Sequence, residues 1–170
     1  MLNAKVVELL NQQINKEFYS AYLYLDFSNY YYDQELNGFG NWYKIQAQEE
    51  RDHAMLFLQY LQNNGEKVEL EAISKPAVEL KDNKTVLEEG LKHERYVTSL
   101  IHDIYEAAYS VKDFRTMQFL DWFVKEQGEE EKTASDLITK MELFGNDPKS
   151  LYMMDQEMAA RVYAPPTLTL

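Results

Sequence analysis

One helical pattern, residues 43–60, reads YKIQAQEERDHAMLFLQY. Steps of three and four residues along it reach, in order, Tyr43, Gln46, Glu50, His53, Phe57 and Tyr60. This is the period of an α-helix that turns one face toward a core. The face is aromatic at both ends and polar in its middle. The pattern therefore predicts a long core-facing helix with Glu50 and His53 at one level.

Three other stretches repeat core-type residues with the same period. Together with residues 43–60 they predict four long helices: α1 over about 4–33, α2 over about 37–64, α3 over about 84–111 and α4 over about 114–145. Asp147-Pro148 offers an N-cap and a first-turn proline, which predicts a shorter α5 over about 148–161. Residues 162–170, which contain Pro165-Pro166, are predicted to form a tail.

The lengths of the connections predict the topology. Only a few residues separate α1 from α2 and α3 from α4, so each pair forms an antiparallel hairpin. Residues 65–83 are long enough to run the length of a bundle, which leaves α2 and α3 parallel. Five apolar residues favour a packed crossover over a floppy insertion: Val68, Leu70, Ile73, Val78 and Leu80. The predicted fold is all-α, one domain over residues 1–170, with a four-helix bundle, a long crossover and a short fifth helix.

The composition excludes several classes of function. The chain has 170 residues and a formal net charge of −12, which argues against a nucleic-acid partner. It has no cysteine, so a disulfide scaffold, a thiolate zinc site and a thiol nucleophile are excluded. It has no run of 18 apolar residues, and its first residues lack the pattern of a signal peptide. We therefore expect a cytoplasmic protein without a membrane partner.

Polar residues interrupt the apolar face of every long helix. They are Glu17 on α1, Glu50 and His53 on α2, Glu94 on α3, and Gln127 and Glu130 on α4. Glu17 precedes Glu50 by 33 residues and His53 by 36 residues. Glu94 precedes Gln127 and Glu130 by the same two separations. Equal separations predict that both hairpins place their polar groups at one level of the bundle.

Four carboxylates at one buried level need compensation, because each unpaired buried charge is costly. The carboxylates could share protons, the helices could splay, or cations could bind between them. The matched spacing favours cations. Glu50 and His53 leave the same face of α2 because they are three residues apart. Carboxylates with one imidazole suit a hard or borderline metal such as iron or manganese.

These motifs resemble the bacterial non-haem ferritins over nearly the whole chain. The matching elements are Glu17, Glu49-Glu50-x-x-His53, Glu94, Glu126-Gln127-x-Glu129-Glu130, the long crossover and the short fifth helix. The resemblance implies a ferritin-like fold and an iron-storage protein with ferroxidase activity. Such a protein oxidises Fe(II) with O2 or H2O2 and stores ferric mineral inside a hollow shell of 24 identical subunits.

The resemblance also assigns roles to single residues. It implies that Glu17, Glu50 and His53 hold a first iron, and that Glu50 bridges to a second iron. Glu94 and Glu130 would also hold that second iron, which completes a di-iron centre within one subunit.

Further residues surround the implied centre. Gln127 would lie close by and donate hydrogen bonds rather than bind iron strongly. A possible third iron site would be formed by Glu49, Glu126 and Glu129 together with Glu130. Tyr24 resembles the near-site tyrosine of the family, which would hydrogen-bond Glu94 or supply an electron; ordinary core packing is the alternative for Tyr24. The reductase that releases stored iron is unknown.

Other readings remain open at the level of sequence. A bacterioferritin would carry a second E-x-x-H motif and a haem-binding methionine, whereas this chain has Gln127-x-x-Glu130 and Asp52, so no haem is expected. A di-iron oxidase of an organic substrate and a non-catalytic helical bundle are the remaining alternatives. His93 and His102 are expected to be exposed residues rather than ligands.

Overall fold

The computed structural model describes residues 2–170, and this part of the chain contains five α-helices and no strand. They are α1 (Ala4–Asp33), α2 (Asn37–Asn63), α3 (Asn83–Ser110), α4 (Phe114–Phe144) and α5 (Pro148–Ala159). Their ends differ from the predicted ones by at most two residues. Three helices begin at an aspartate whose side chain accepts a hydrogen bond from the backbone N–H three residues on: Asp82, Asp113 and Asp147.

The first interhelical turn lies just before a dipeptide that is common in turns. Asn37-Gly38 is such a dipeptide, but both residues belong to the first turn of α2. The chain reverses at residues 34–36, where Glu35 adopts a left-handed conformation with φ 58°. Gly38 instead allows α5 to approach, because a Cβ there would lie 1.7 Å from the carbonyl oxygen of Asp155.

Helix α5 supplies the cap that α2 lacks. Leu36 precedes α2 and makes no side-chain cap hydrogen bond. Oδ1 of the buried Asp155 instead accepts hydrogen bonds from the backbone N–H groups of Gly38, at 2.7 Å, and Phe39, at 3.0 Å. A carboxylate at the N-terminus of a helix also interacts favourably with the helix dipole. The short fifth helix is therefore fixed to the start of the second.

Contacts between the long helices confirm the predicted topology. Ser20 on α1 contacts His93 on α3, and Tyr31 further along α1 contacts Asn83 nearer the start of α3, so these helices are antiparallel. The pairs α1–α2 and α3–α4 are the two predicted hairpins. It follows that α2 and α3 run parallel, as the long crossover requires. No helix within residues 2–170 is long and apolar enough to cross a membrane.

The crossover packs on the bundle only in part. Asn11 and Asn15 on α1 donate hydrogen bonds to the carbonyl oxygens of Lys67 and Ala72 in this connection. Three of its apolar residues contact the hydrophobic core: Val68, Val78 and Leu80. Leu70 and Ile73 are exposed, so the prediction that they pack is wrong for this single chain. The hydrogen bonds of the two asparagines hold the backbone here where apolar burial does not.

Two hydrophobic clusters leave a polar layer between them. One contains Leu10, Phe57 and Phe123, and the other contains Phe27, Tyr31, Phe39, Met141, Met154 and Met158. Along α1 the boundary between the two clusters falls between Ile14, which belongs to the first, and Leu23, which belongs to the second. Glu17 lies between them and is buried. The core therefore places the polar side chains near the middle of the bundle.

Candidate metal centre

Three ligand-type side chains meet in the polar layer. Helix α1 contributes Glu17 and helix α2 contributes Glu50 and His53, all three buried. One ligand atom from each residue lies within 4.8 Å of the others. Nδ1 of His53 is 3.3 Å from Oε2 of Glu50, because residues three apart on a helix share a face. The structure thus brings together the three residues that the sequence predicted for a first metal ion.

Two glutamines that the sequence reasoning missed hold these carboxylates in place. Nε2 of Gln13 donates to Oε1 of Glu17 at 2.7 Å, and Nε2 of Gln46 donates to Oε1 of Glu50 at 2.8 Å. Both glutamines are buried and stand one helical turn before their carboxylate. The repeated Gln-x-x-x-Glu spacing was the sequence signal that could have revealed them.

The remaining oxygen of Glu17 indicates what the group can bind. Oε2 of Glu17 is buried and has no hydrogen-bond partner among the described residues. A buried carboxylate oxygen without a partner is costly, whereas a cation placed between it, Glu50 and His53 would satisfy it. Two carboxylates and an imidazole are a donor set that suits a divalent iron ion. The residues present therefore fit a metal ion.

The second hairpin arranges its polar residues differently. Oε1 of Glu94 accepts a hydrogen bond from the Tyr24 hydroxyl. Oε2 of Glu94 accepts one from Nε2 of Gln127 at 3.0 Å. Among residues 2–170, the compact group of ligand atoms contains neither Glu94 nor Glu130. Of the six residues predicted for this layer, the three on the first hairpin lie close enough to share one ion. Both oxygens of Glu94 instead accept hydrogen bonds from other protein groups.

The trio of Glu17, Glu50 and His53 differs in which members carry a charge at neutral pH. Burial and the neighbouring Glu50 raise the pKa of Glu17 to about 8. Burial opposes protonation of His53, but the carboxylates of Glu50, Glu17 and Glu130 outweigh it and raise its pKa to about 10. Burial would raise the pKa of Glu50 as well, yet His53 and the hydrogen bond from Gln46 lower it overall. At neutral pH the trio is a protonated Glu17 beside a Glu50–His53 ion pair.

The carboxylates of the second hairpin also retain protons. Burial raises the pKa of Glu94 well above its usual range, and the charges of Glu50 and Glu130 add to this. Burial, with Glu50, raises the pKa of Glu130 to about 7. Tyr24 is fully buried and its pKa lies well above the usual value, so its hydroxyl remains a donor. Bound protons thus lower the charge of the buried layer, and a cation would replace them.

The outer carboxylates of the predicted third site share a cavity of about 310 Å3 beside the trio. Its acidic lining consists of Glu49, Glu126, Glu129 and Glu130, and His53 also contributes to its wall. Glu129 is exposed and lies 3.3 Å from Lys125. Burial raises the pKa of both Glu49 and Glu126. The structure therefore places these four carboxylates together in one cavity beside His53.

Residues beyond α5 form part of this cavity, which the sequence gave no means to predict. Arg161 contacts Glu49, and residues 164–167 line the cavity opposite the helices. The sequence predicted residues 162–170 only as a tail. Arg161 brings a positive charge to the acidic residues from outside the four long helices.

One of the two surface predictions for histidine is wrong. His93 is half-buried, and its Nε2 lies 2.8 Å from the Ser20 hydroxyl. Its ring also packs against Tyr19 and Tyr24, and burial lowers its pKa. His93 directly precedes Glu94 on α3, so its side chain leaves the helix in a different direction. That direction faces α1 and not solvent. His102 is exposed, as predicted.

Comparisons with known proteins find similar sequences along nearly the whole chain. A family model described as a ferritin-like domain matches residues 7–144. A bacterial non-heme ferritin of Campylobacter jejuni is 39% identical over 156 residues, which are 92% of this chain and 93% of that protein. One from Staphylococcus haemolyticus is 36% identical over 163 residues, which are 96% of this chain and 98% of that protein.

Solved structures are similar over the same length. An open-pore ferritin from the hyperthermophilic archaeon Archaeoglobus fulgidus superimposes with a TM-score of 0.93 and 41% identity, covering 95% of this chain and 100% of that chain. A humanized archaeal ferritin superimposes with a TM-score of 0.95 and 41% identity, covering 97% of this chain and 100% of that chain. The similarity includes the whole helical bundle and the short fifth helix.

Proposed function

The chain belongs to the ferritin family, and from this premise we propose that it stores iron by oxidising Fe(II) at a di-iron centre in its polar layer. Fe(II) is the substrate and O2 or H2O2 is the oxidant. The observation that supports this most directly is the buried group of Glu17, Glu50 and His53, in which Oε2 of Glu17 has no protein partner.

Glu17, Glu50 and His53 would hold the first Fe(II). Glu17 and His53 give up their protons as the ion binds, because a metal ligand must be deprotonated. Gln13 and Gln46 keep the two carboxylates oriented during this exchange, since each binds the oxygen Oε1. Anionic oxygen ligands favour Fe(III) over Fe(II), so the same residues that bind the substrate make its oxidation favourable.

A second Fe(II) would lie between Glu50, Glu94 and Glu130, with Glu50 bridging the two ions. Glu94 must then release the hydrogen bond from Gln127 or Tyr24 on one of its oxygens. Gln127 is neutral and donates through Nε2, so it orients Glu94 without competing strongly for iron. Tyr24 keeps its hydroxyl proton at neutral pH because burial raises its pKa.

Two Fe(II) ions close together deliver two electrons to one oxidant. With O2 the balance is two Fe(II), one O2 and two protons giving two Fe(III) and one H2O2. With H2O2 as the oxidant, two Fe(II) and two protons give two Fe(III) and two water molecules. Protons displaced from Glu17 and His53 can meet this demand, because both residues hold them at neutral pH.

We further propose a homo-oligomeric shell of 24 chains that works in the cytoplasm. Several large apolar side chains are exposed in the single chain near α5, including Leu143, Tyr152 and Met153. Large apolar side chains that are exposed in a single chain are suited to a contact with another chain. Sedimentation tests the assembly, because twenty-four chains of 20.1 kDa each make a particle of about 480 kDa.

The experiment that tests the site compares two histidine variants. His53→Ala removes the buried ligand, and His102→Ala removes an exposed histidine as the matched control. Fe(II) oxidation by O2 is followed by stopped-flow absorbance on protein stripped of iron. We expect His53→Ala to slow the fast phase at least about tenfold, and His102→Ala to leave it unchanged. A full fast phase in His53→Ala, in an assembled protein, would exclude this site.

A further inference from the structure

The residues that follow α5, here called the C-terminal segment (residues 160–170), are tied to α2 and α4. The hydroxyl of Tyr163 donates to Oδ2 of Asp52 at 2.6 Å. Nε1 of Trp122 donates to Oγ1 of Thr167 at 3.0 Å. These contacts lay the C-terminal segment across the cavity that contains the outer carboxylates.

Arg161 makes the most extensive contact of the C-terminal segment. Its Nη2 is 2.5 Å from Oε2 of Glu49, and its Nη1 donates to Oε1 of Gln46 at 2.9 Å. Nη1 also approaches the carbonyl oxygen of Trp42 at 3.3 Å, and the guanidinium lies 4.1 Å from the centre of the Trp42 ring. The side chains of Arg161 and Glu49 are only 17% and 18% exposed.

Arg161 therefore holds a place that a metal ion would need. Glu49 is one of four carboxylates that line the cavity, and the guanidinium already neutralises it. An arginine keeps its charge at every physiological pH, so it competes with metal ions throughout that range. Gln46 extends the contact inward, because its Oε1 accepts from Arg161 while its Nε2 donates to Glu50.

We propose that Arg161 is a positioning residue that occupies the cation position at Glu49, so that a third metal ion binds the outer carboxylates only by displacing the guanidinium. The C-terminal segment then sets how tightly that third ion is held. This inference rests on the proposed function, since it takes the neighbouring trio and Glu94 with Glu130 as the sites of the first two ions.

The test is a zinc titration of the assembled, iron-free protein. Zn(II) binds carboxylates and imidazole without redox chemistry, and calorimetry gives its stoichiometry and affinities. The chain has two tryptophans, Trp42 and Trp122, and both line the cavity. Their fluorescence therefore reports displacement of Arg161 during the titration.

The variants are Arg161→Gln, Arg161→Lys and a matched control, Lys125→Gln. Lys125 lies beside Glu129 of the same acidic group but is 78% exposed. Losing it removes one positive charge beside Glu129 without removing a buried contact. Arg161→Lys keeps the charge but cannot contact Glu49, Gln46 and the Trp42 carbonyl together.

We expect all variants to bind the first two Zn(II) per chain, so that the comparison concerns the third. The third Zn(II) should bind about tenfold more tightly to Arg161→Gln, because no charge-assisted hydrogen bonds must be broken. Arg161→Lys should raise the affinity for the third Zn(II) by an intermediate factor, and Lys125→Gln should raise it less than Arg161→Gln does. In the unmodified chain the third Zn(II) should change tryptophan fluorescence, and in Arg161→Gln this change should disappear.

Two outcomes would overturn the inference. One is an affinity for the third Zn(II) that is equal in Arg161→Gln and Lys125→Gln. That result would show that Arg161 acts only through its charge. The other is a tryptophan signal on the third Zn(II) that persists without Arg161. Failure of the unmodified protein to bind the first two ions would instead count against the proposed function, so the two failures are distinguishable.

Discussion

At the scale of single residues, the polar layer shows how a core can contain several carboxylates. Glu17 remains protonated at neutral pH because burial raises its pKa to about 8. Glu50 remains ionised because His53 pairs with it. The protein thus limits the number of buried charges with protons, and a cation can later take their place.

This arrangement predicts proton release when metal binds. At pH 7 both Glu17, with a pKa of about 8, and His53, with a pKa of about 10, carry protons that a metal ion must displace. Zn(II) binding should therefore release protons. The number should fall as the pH is raised from 7 to 9, because Glu17 is then already ionised. Calorimetry in two buffers with different ionisation enthalpies measures the number released.

A pair of variants assigns that release to Glu17. Glu17→Gln should release about one proton fewer at pH 7, since the amide carries no proton to displace. Glu8→Gln changes an exposed carboxylate on the same helix and should leave the count unchanged. An equal count in Glu17→Gln and the unmodified chain would show that Glu17 is ionised before metal binds.

The sequence predicted the candidate metal ligands better than the residues that orient them. Glu17, Glu50 and His53 were visible because each breaks an apolar period. Gln13 stands one turn before Glu17, but the second hairpin has no equivalent, since Gly90 stands one turn before Glu94. The two hairpins share their ligand spacing and differ in the residues that orient the ligands.

At the scale of helices, two glycines in regular helices have opposite environments. A Cβ on Gly38 would lie 1.7 Å from the carbonyl oxygen of Asp155 on α5, whereas a Cβ on Gly128 would meet no atom within 4 Å. Gly38 permits a close helix contact. Gly128 lies on the exposed face of α4, and the packing around it does not require glycine.

Alanine at these two positions should therefore change stability in opposite directions. Gly128→Ala should raise the free energy of unfolding by about 0.5–1 kcal/mol, because alanine costs less backbone entropy in a helix. Gly38→Ala should lower it by about 1–3 kcal/mol, because α5 must shift away from α2. Denaturant unfolding at one protein concentration measures both.

Each variant serves as the control for the other, since both are glycine-to-alanine changes within a helix. Equal stabilisation by the two substitutions would contradict the close contact between α5 and α2. Helix boundaries were predictable because they depend on local caps such as Asp113 and Asp147. The contact of Gly38 with Asp155 was not predictable, because 117 residues separate the two in the chain.

At the scale of the whole molecule, the C-terminal segment connects with the metal centre through long-range contacts. Arg161 and Glu49 are 112 residues apart in sequence, and Tyr163 and Asp52 are 111 apart. Helical periodicity gives no information about where an irregular segment runs after its last helix. The fold class could be predicted from residue spacing and loop length. The position of the C-terminal segment over the outer carboxylates could be seen only in the structure.

The measurement that tests the di-iron centre most directly is an iron titration of the unmodified, assembled protein. Fe(II) is added anaerobically in steps, an O2 pulse follows each step, and stopped-flow absorbance records the fast formation of Fe(III). The fast signal should saturate near two irons per chain if, as we propose, Glu17, Glu50 and His53 with Glu94 and Glu130 form two adjacent sites. Oxidation no faster than in buffer, at every loading, would contradict a ferroxidase centre in this bundle.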